Sequence, residues 1–496
     1  MAASLPPLGQ STTYSPGLRT AVVLVGIGTA GAYHAGVLQA LREAGVKVDL
    51  VAGRGVGVVG ALFAAVDGEA SLWQDGGVWR SPGIVRLYDW RGTLKAALRT
   101  LAVALLALCV PLIALVGAAI VYPVAFLLGL VGVDAGGSMA AWYAALLDTL
   151  FHPEGLPLLL PRLVFLALLA LLGVLVVGEV VPRVRARWRR RARGLVWWRI
   201  IGAPLDARHA TSRFSGGLWK IMSGAARMAK PSAPDLGGRY AELLSDNVGQ
   251  PGFREIVVTA HDLDARRDVV FSLLGKEFRP AFFARRLGDE GGDRHLELVD
   301  LAGAARRHTM DALAGALSLP IVTEAHPVRF SAGSPWRGET HHLVDRPAAT
   351  ARLLEEVSNA GAEQVIFVSA LPESRGPHEI ESTRRDARGR AGDHLAATET
   401  AALRDALMAW RGRFQAVFHI RPTHNPVGPF DFAGCYDERS DRFCRLGELV
   451  ERGRDDGYRQ FVDPVIGASG EWIDTGPAAS GQRAVRRPAM PTSAGR

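Results

Sequence analysis

Two short glycine clusters are the places in this sequence where residue type and spacing could do chemistry. Gly26-Ile27-Gly28-Thr29-Ala30-Gly31 follows the apolar run Ala21 to Val25. It precedes a helical pattern, Ala32 to Ala44, with Val37, Leu38 and Leu41 on one face. Glycines there let backbone N–H groups converge on an anion at the positive end of a helix. Three readings compete: a dinucleotide pyrophosphate site, the oxyanion hole of an acyl hydrolase, or simply a tight strand-to-helix turn. The second cluster, Gly53-Arg54-Gly55-Val56-Gly57, joins the strand pattern Val48 to Ala52 to the helical run Val58 to Val66. Its spacing is that of a G-x-S-x-G nucleophile elbow, in which a sharp turn lifts the central side chain above a sheet. The central residue here is Gly55, which has no hydroxyl.

Other polar groups are weighed against that pair. Arg54, at a helix N-terminus with the Gly26–Gly31 loop opposite, is a candidate to hold a phosphate or carboxylate where a nucleophile would stand. The same arginine, after the same glycine loop, also imitates a Rossmann start that reads the 2′-phosphate of NADP. Thr29, Ser318, Ser331 and Ser334 are hydroxyls outside any elbow context and read as turn or capping residues. His341 and His342 lie close in sequence to Asp345 and are candidates for a base on water, with inert strand histidines as the plainer reading. His261-Asp262-Leu263-Asp264 has metal-compatible groups but reads as the polar end of a strand, so no metal and no cofactor is expected. The polar-aromatic stretch Phe430 to Arg439 reads as a C-terminal loop packing on the domain.

The elements that must position these residues alternate. Strand patterns at 21–25, 48–52, 255–260, 269–273, 364–369 and 415–420 are separated by helical patterns at 32–44, 301–316, 348–360 and 396–410. That order implies an α/β fold with a mostly parallel sheet sandwiched by helices. Residues 373–393 read as a charged loop.

Between Arg99 and Asp134 no charged side chain occurs across about 34 residues, more than the ~20 that cross a bilayer's hydrocarbon. This reads as a membrane span, carrying Pro111 and Pro123, and therefore kinked or in part re-entrant. Leu163 to Val181, with Glu179 as its one charge, reads as a second span. Arg91, Lys95 and Arg99 precede the first span, seven arginines between Arg183 and Arg193 follow the second, and the connection is acidic. The positive-inside rule then places both flanks, the soluble domain and both termini in the cytoplasm. Trp188, Trp197 and Trp198 would sit near that interface. The formal charge is +8. The arginine cluster carries nearly all of it, which fits attraction to anionic lipid better than a nucleic-acid partner, for which no motif occurs. Cys109, Cys435 and Cys444 are too few for a disulfide framework, and the N-terminus has no signal-peptide pattern.

Taken with Ala32-Tyr33-His34-Ala35-Gly36-Val37-Leu38 and the helix end Leu41 to Gly45, the two glycine clusters resemble the start of a patatin-like phospholipase domain. More loosely, Glu255 to Phe271, Ala316-Leu317-Ser318-Leu319-Pro320, and Val344-Asp345 with the strand 364–369 are similar to later parts of that family. The resemblance implies a Ser-Asp dyad with Asp345 as its acid/base member, and an oxyanion hole at Gly26, Ile27, Gly28 and Gly31. This sequence departs from the family at the positions that matter. Gly55 replaces the nucleophilic Ser, Ile27 a glycine, Ala30 a basic residue, and Arg346-Pro347 follows the Asp where the family has Gly. Without a nucleophile no acyl-enzyme forms, so the expectation is a membrane-anchored, lipid-binding protein without hydrolytic activity. A hydrolase with another nucleophile and an NADP-binding protein are the alternatives. A carried-over dyad requires positions 55 and 345 to lie within about 8 Å of each other. The expected organisation is a loose tail (1–18), a first part of the domain (19–97), a transmembrane hairpin (98–182), a second part with a C-terminal extension (183–476), and a loose tail (477–496).

Overall fold

A computed structural model describes residues 14–185, 202–226, 228–284, 294–372, 387–437 and 439–466. Most of both tails, and the arginine cluster from residue 186 with its tryptophans, lie outside the described residues. Two compact units divide the chain: Met1–Val85, Thr211–Leu317 and His326–Arg496 form the first, and Arg86–Ala210 with Ser318–Ala325 the second.

The first unit is built on β1 (Thr20–Gly26), α1 (Ala30–Glu43), β2 (Leu50–Gly55) and α2 (Gly57–Ala64). The remaining strands of its sheet are β3 (Glu255–Asp262), β4 (Arg267–Leu273), β5 (Leu298–Asp300), β6 (His326–Arg329), β7 (Thr340–Val344), β8 (Gln364–Ser369) and β9 (Ala416–Ile420). The order across the sheet is β9-β8-β1-β2-β3-β4-β5, with β7 pairing the end of β3 and β6 pairing β7. The five strands from β9 to β3 are mutually parallel, and β3–β4, β3–β7 and β6–β7 are antiparallel. The mostly parallel α/β sheet is thus present, with an antiparallel edge.

Because side chains alternate across a strand, β1 serves two cores. Ala21, Val23 and Val25 face a cluster with Leu353, Leu354 and Val357, while Leu24 lies against α2 at Gly60. The helical pattern expected at 348–360 is Ala349–Asn359, and that at 396–410 starts earlier, at Ala387, taking in part of the expected charged loop. The early start fits the residues in part: Ala387–Ala397 contains four alanines and no proline, although Gly389 and Gly392 weaken its helical pattern. The helix expected at 301–316 narrows to Thr309–Leu317 behind a short 3₁₀ turn.

In the second unit, α3 (Gly92–Leu130), α4 (Ala135–Phe151) and α5 (Leu156–Arg185) pack on one another. Two of them, over Gly92–Leu130 and Pro157–Val174, are long and apolar enough to cross a membrane. Pro111 and Pro123 lie inside α3. The acidic connection is therefore largely helical, which the sequence pattern did not indicate. Arg162 falls within the second apolar window instead of preceding it. The unit extends beyond the expected insertion because Asp89–Trp90 pairs antiparallel with Leu205–Asp206, and Leu205 bridges Thr323.

Candidate functional site

Parallel register places the two glycine clusters side by side: Val25 lies opposite Arg54 and Gly26 opposite Gly55. Both turns therefore leave the sheet at the carboxyl ends of adjacent strands, where α/β folds hold their ligands. The third component arrives by a different route. β7 runs antiparallel to the end of β3, with His261 opposite Val344, so Asp345 is delivered to the same end of the sheet.

The geometry at Gly55 is that of a sharp strand-to-helix turn. Its φ is +59°, in the left-handed region that favours glycine. A Cβ built there would stand 3.1 Å from Oδ2 of Asp345, so the two positions face one another directly. The same Cβ would approach the carbonyl oxygen of Gly26 to 2.2 Å, too close for any real side chain. That carbonyl also accepts from the N–H of Val56 (2.9 Å), the group that follows the central residue of an elbow.

Arg54 is not the anion site expected from sequence. The residue is wholly buried and its guanidinium is consumed by internal partners. Nη1 donates to both oxygens of Asp345 (2.9 and 2.6 Å), Nη2 to Glu399, and Nε to Oγ1 of Thr350 (3.1 Å). Neither a headgroup phosphate nor the 2′-phosphate of a dinucleotide can reach donors already held in this way. Burial works against the arginine's charge, yet the two carboxylates hold its pKa above the ordinary value. Burial pushes Asp345 up despite the guanidinium beside it, and pushes Glu399 up to about 7. One cation compensates one carboxylate, so the cluster is balanced when Glu399 carries a proton.

The glycine loop is covered as well. The N–H of Thr29 donates to the carbonyl of Pro429 (3.1 Å) and its hydroxyl to that of Gly428 (2.8 Å). At Gly28, φ is +56° and a Cβ would overlap the Pro429 carbonyl oxygen at 1.8 Å, with Phe432 next to it. Ile27 is buried, and Gly31 gives its space to the indole of Trp79. The start of the polar-aromatic stretch thus has a definite seat: residues 428–432 lie on the Gly26–Gly31 loop. Behind the turn, Nε2 of His34 donates to the carbonyl of Val25 (3.0 Å). Burial, with the charge of Arg54, lowers His34 to about 3 and keeps the ring neutral.

The remaining candidates are engaged elsewhere. Asp262 holds His341, Asp264 holds His342 (2.7 Å) and Asp268 holds both His261 (2.8 Å) and Arg346. Among the described residues no group of three metal-ligating side chains converges. Ser334 donates to the carbonyl of Ser331 (2.6 Å), as a turn hydroxyl does, and Ser318 lies in the second unit.

Two partners escaped the sequence reading, Thr350 and Glu399. A signal for Glu399 exists. It sits in the buried stripe Leu395, Glu399, Leu403, Ala406, and a carboxylate on the apolar face of a helix calls for a buried cation.

Part of the chain is similar to a known protein. Over 68 residues the chain is 43% identical to the patatin-like phospholipase domain-containing protein ZK370.4 of Caenorhabditis elegans. Over that stretch it is similar to a protein with a patatin-like phospholipase domain. The match covers 12% of this chain and 5% of that relative, so the chain spans about one-twentieth of the curated protein it matches. The crystal structure of VipD from Legionella pneumophila aligns over 92% of this chain and 68% of its own, at 11% identity and a TM-score of 0.28, a likeness too slight to support an inference. No protein-family model matches.

Proposed function

We propose that this chain is a membrane-anchored protein of the patatin-like phospholipase fold that binds lipid without hydrolysing it. The observation that carries the reading is the lack of a side-chain oxygen at Gly55, directly across from Asp345. A dyad needs a hydroxyl that the aspartate can deprotonate, and here that position offers only Cα hydrogens. Two further observations agree with it. Asp345 is committed to Arg54, and the N–H groups of Thr29 and Val56 are committed to backbone carbonyls. An oxyanion would find those donors occupied.

Lipid contact in this reading runs through the second unit. Leucines and phenylalanines along α3 and α5, such as Leu115, Phe126 and Phe165, are more than half exposed. Such faces are stable in hydrocarbon and costly in water. The basic residues Arg91, Lys95 and Arg99 at the start of α3 favour a cytoplasmic side for that end by the positive-inside rule, and the reading puts the α/β unit there too.

The test is turnover by the purified full chain in detergent. Release of product from a short-chain ester or a phospholipid is expected to equal the buffer rate, and a fluorophosphonate probe is expected to leave the protein unlabelled. Hydrolysis that disappears in Asp345→Asn, or a covalent adduct on any serine or threonine, would establish an active acyl hydrolase and overturn the reading.

A further inference from the structure

The last part of the first unit carries a feature unrelated to the elbow. Strands β10 (Cys435–Asp437) and β11 (Arg442–Cys444) form a small antiparallel ribbon. In its register Cys435 lies directly opposite Cys444, Tyr436 opposite Phe443, and Asp437 opposite Arg442. Directly opposed residues share one face of a ribbon, with Cα atoms about 4.5–5.5 Å apart. A disulfide spans Cα separations of about 4.4–6.8 Å.

The two faces of the ribbon differ in the expected way. Tyr436 and Phe443 stack edge to face on the outside, with ring centroids 5.1 Å apart. On the other face Cys444 is buried and Cys435 is half-buried, its thiol donating to the carbonyl of Pro426 (2.8 Å). Both are thiols in this structure. Two of the chain's three cysteines therefore meet across a ribbon, whereas the third, Cys109, lies in α3.

We propose that Cys435 and Cys444 are a redox-active pair that closes to a cross-strand disulfide and reopens, with a low-molecular-weight disulfide such as oxidised glutathione as the electron acceptor. The more accessible Cys435 attacks first, as its thiolate. It bonds to one glutathione sulfur, the glutathione S–S bond breaks, and one glutathione thiolate leaves. The Cys444 thiolate then attacks the Cys435 sulfur, and the second glutathione departs. Two electrons pass from the two protein thiols to the acceptor, and the two thiol protons end on the two glutathione thiols. Closing removes the S–H that Pro426 accepts and pins the base of the ribbon just beyond the Gly428–Phe432 seat on Thr29. The inference is independent of the lipid reading, since it concerns neither Gly55 nor the apolar helices.

The experiment uses the full chain in detergent, as wild type and as Cys109→Ser, equilibrated in reduced and in oxidised glutathione. After denaturation in an alkylating agent, the intact mass is read and the peptides are mapped without reduction. The expected result under oxidising buffer is a species that carries two fewer alkyl groups than the reduced sample and is otherwise lighter by two hydrogens, with a peptide linking positions 435 and 444, fully reversed by dithiothreitol. Cys444→Ser should stop at a glutathione adduct on Cys435. Retention of two alkylatable thiols at 435 and 444 under oxidising buffer would overturn the proposal. So would a glutathione adduct that persists on Cys435 when Cys444 is present.

Discussion

At the scale of single residues, position 55 offers no reactive side chain, and the residue before it is a buried arginine with a structural role. Arg54 fills the space beside Gly55 with a guanidinium that joins Asp345 to Glu399, all three buried. Removing the cation leaves two carboxylates in a dry interior. Arg54→Ala is accordingly expected to cost about 3–5 kcal/mol, the range for breaking a buried pair by deleting one partner. A calorimetric or fluorescence melt of the solubilised protein checks it. Combining Arg54→Met with Asp345→Leu and Glu399→Leu should recover much of that loss, because the triple change leaves no orphaned charge. The cluster also predicts a pH slope. The pKa of Glu399 is raised from 4.5 to about 7 in the folded chain. Its stabilisation is therefore complete below about pH 4.5, and it is lost as pH rises toward 7, because the unfolded chain gives up the proton first. At most this amounts to about 3 kcal/mol. Melts at pH 5 and pH 7.5 should show Glu399→Gln gaining on the wild type as pH rises, a comparison in which the opposite slope of the buried neutral rings of His34 and His419 cancels.

At the scale of elements, close approaches explain how the C-terminal extension is held. Helix α1 meets the helix Leu446–Gly457 backbone to backbone. A Cβ on Gly36 would fall 1.8 Å from the carbonyl oxygen of Val450, and one on Gly453 would fall 2.2 Å from that of Tyr33. Small residues on both partners permit that contact, and it is tied at its edges by Tyr33 to Asp456 (3.0 Å) and Arg454 to Glu43 (2.9 Å). The loop preceding the ribbon is thereby anchored on the same helix whose N-terminal turn it covers. The apolar helices obey a different solvent. Leu115, in the middle of α3, is 67% exposed. If that face meets lipid, Leu115→Arg should oppose insertion by about 2.5–3.5 kcal/mol. The expected result is that wild-type protein stays with membranes after an alkaline carbonate wash, while a larger share of the variant is extracted.

At the scale of the whole molecule, inactivity in this reading is distributed over separate segments of chain. Residue 55 lacks the hydroxyl, Arg54, itself held by Glu399, occupies the aspartate across from it, and residues 428–432 cover the glycine loop. Restoring one of these does not restore the others. Gly55→Ser alone is therefore expected to show no ester turnover above buffer. Its Cβ must displace the Gly26 carbonyl, and a loss of about 1–3 kcal/mol in stability should accompany it. A robust gain of hydrolysis from that single change would mean that the cover opens readily and that Asp345 is available.

Much of this was legible from local pattern. The period-2 and period-3.6 runs located most strands and helices, the paired glycine turns marked the carboxyl edge of the sheet, and the spacing around Gly55 marked the sharp strand-to-helix turn that faces Asp345. These are short-range properties, decided by steric limits on each residue and by which face of an element is apolar. The length of the apolar runs likewise depends on composition alone, although the helix between them was missed because its small and polar residues carry a weak pattern. What only the tertiary structure decided are the partners. Arg54 could have faced solvent and bound an anion. It is buried because residues 345, 350 and 399, brought in by β7 and two later helices, converge on it from nearly 300 positions away or more. Similarly, nothing local in Phe430-Asp431-Phe432 indicates that the carbonyl of Pro429 will cap Thr29. Contacts of that kind depend on register and on the packing of distant segments, and a side chain's chemistry follows from what those contacts leave beside it.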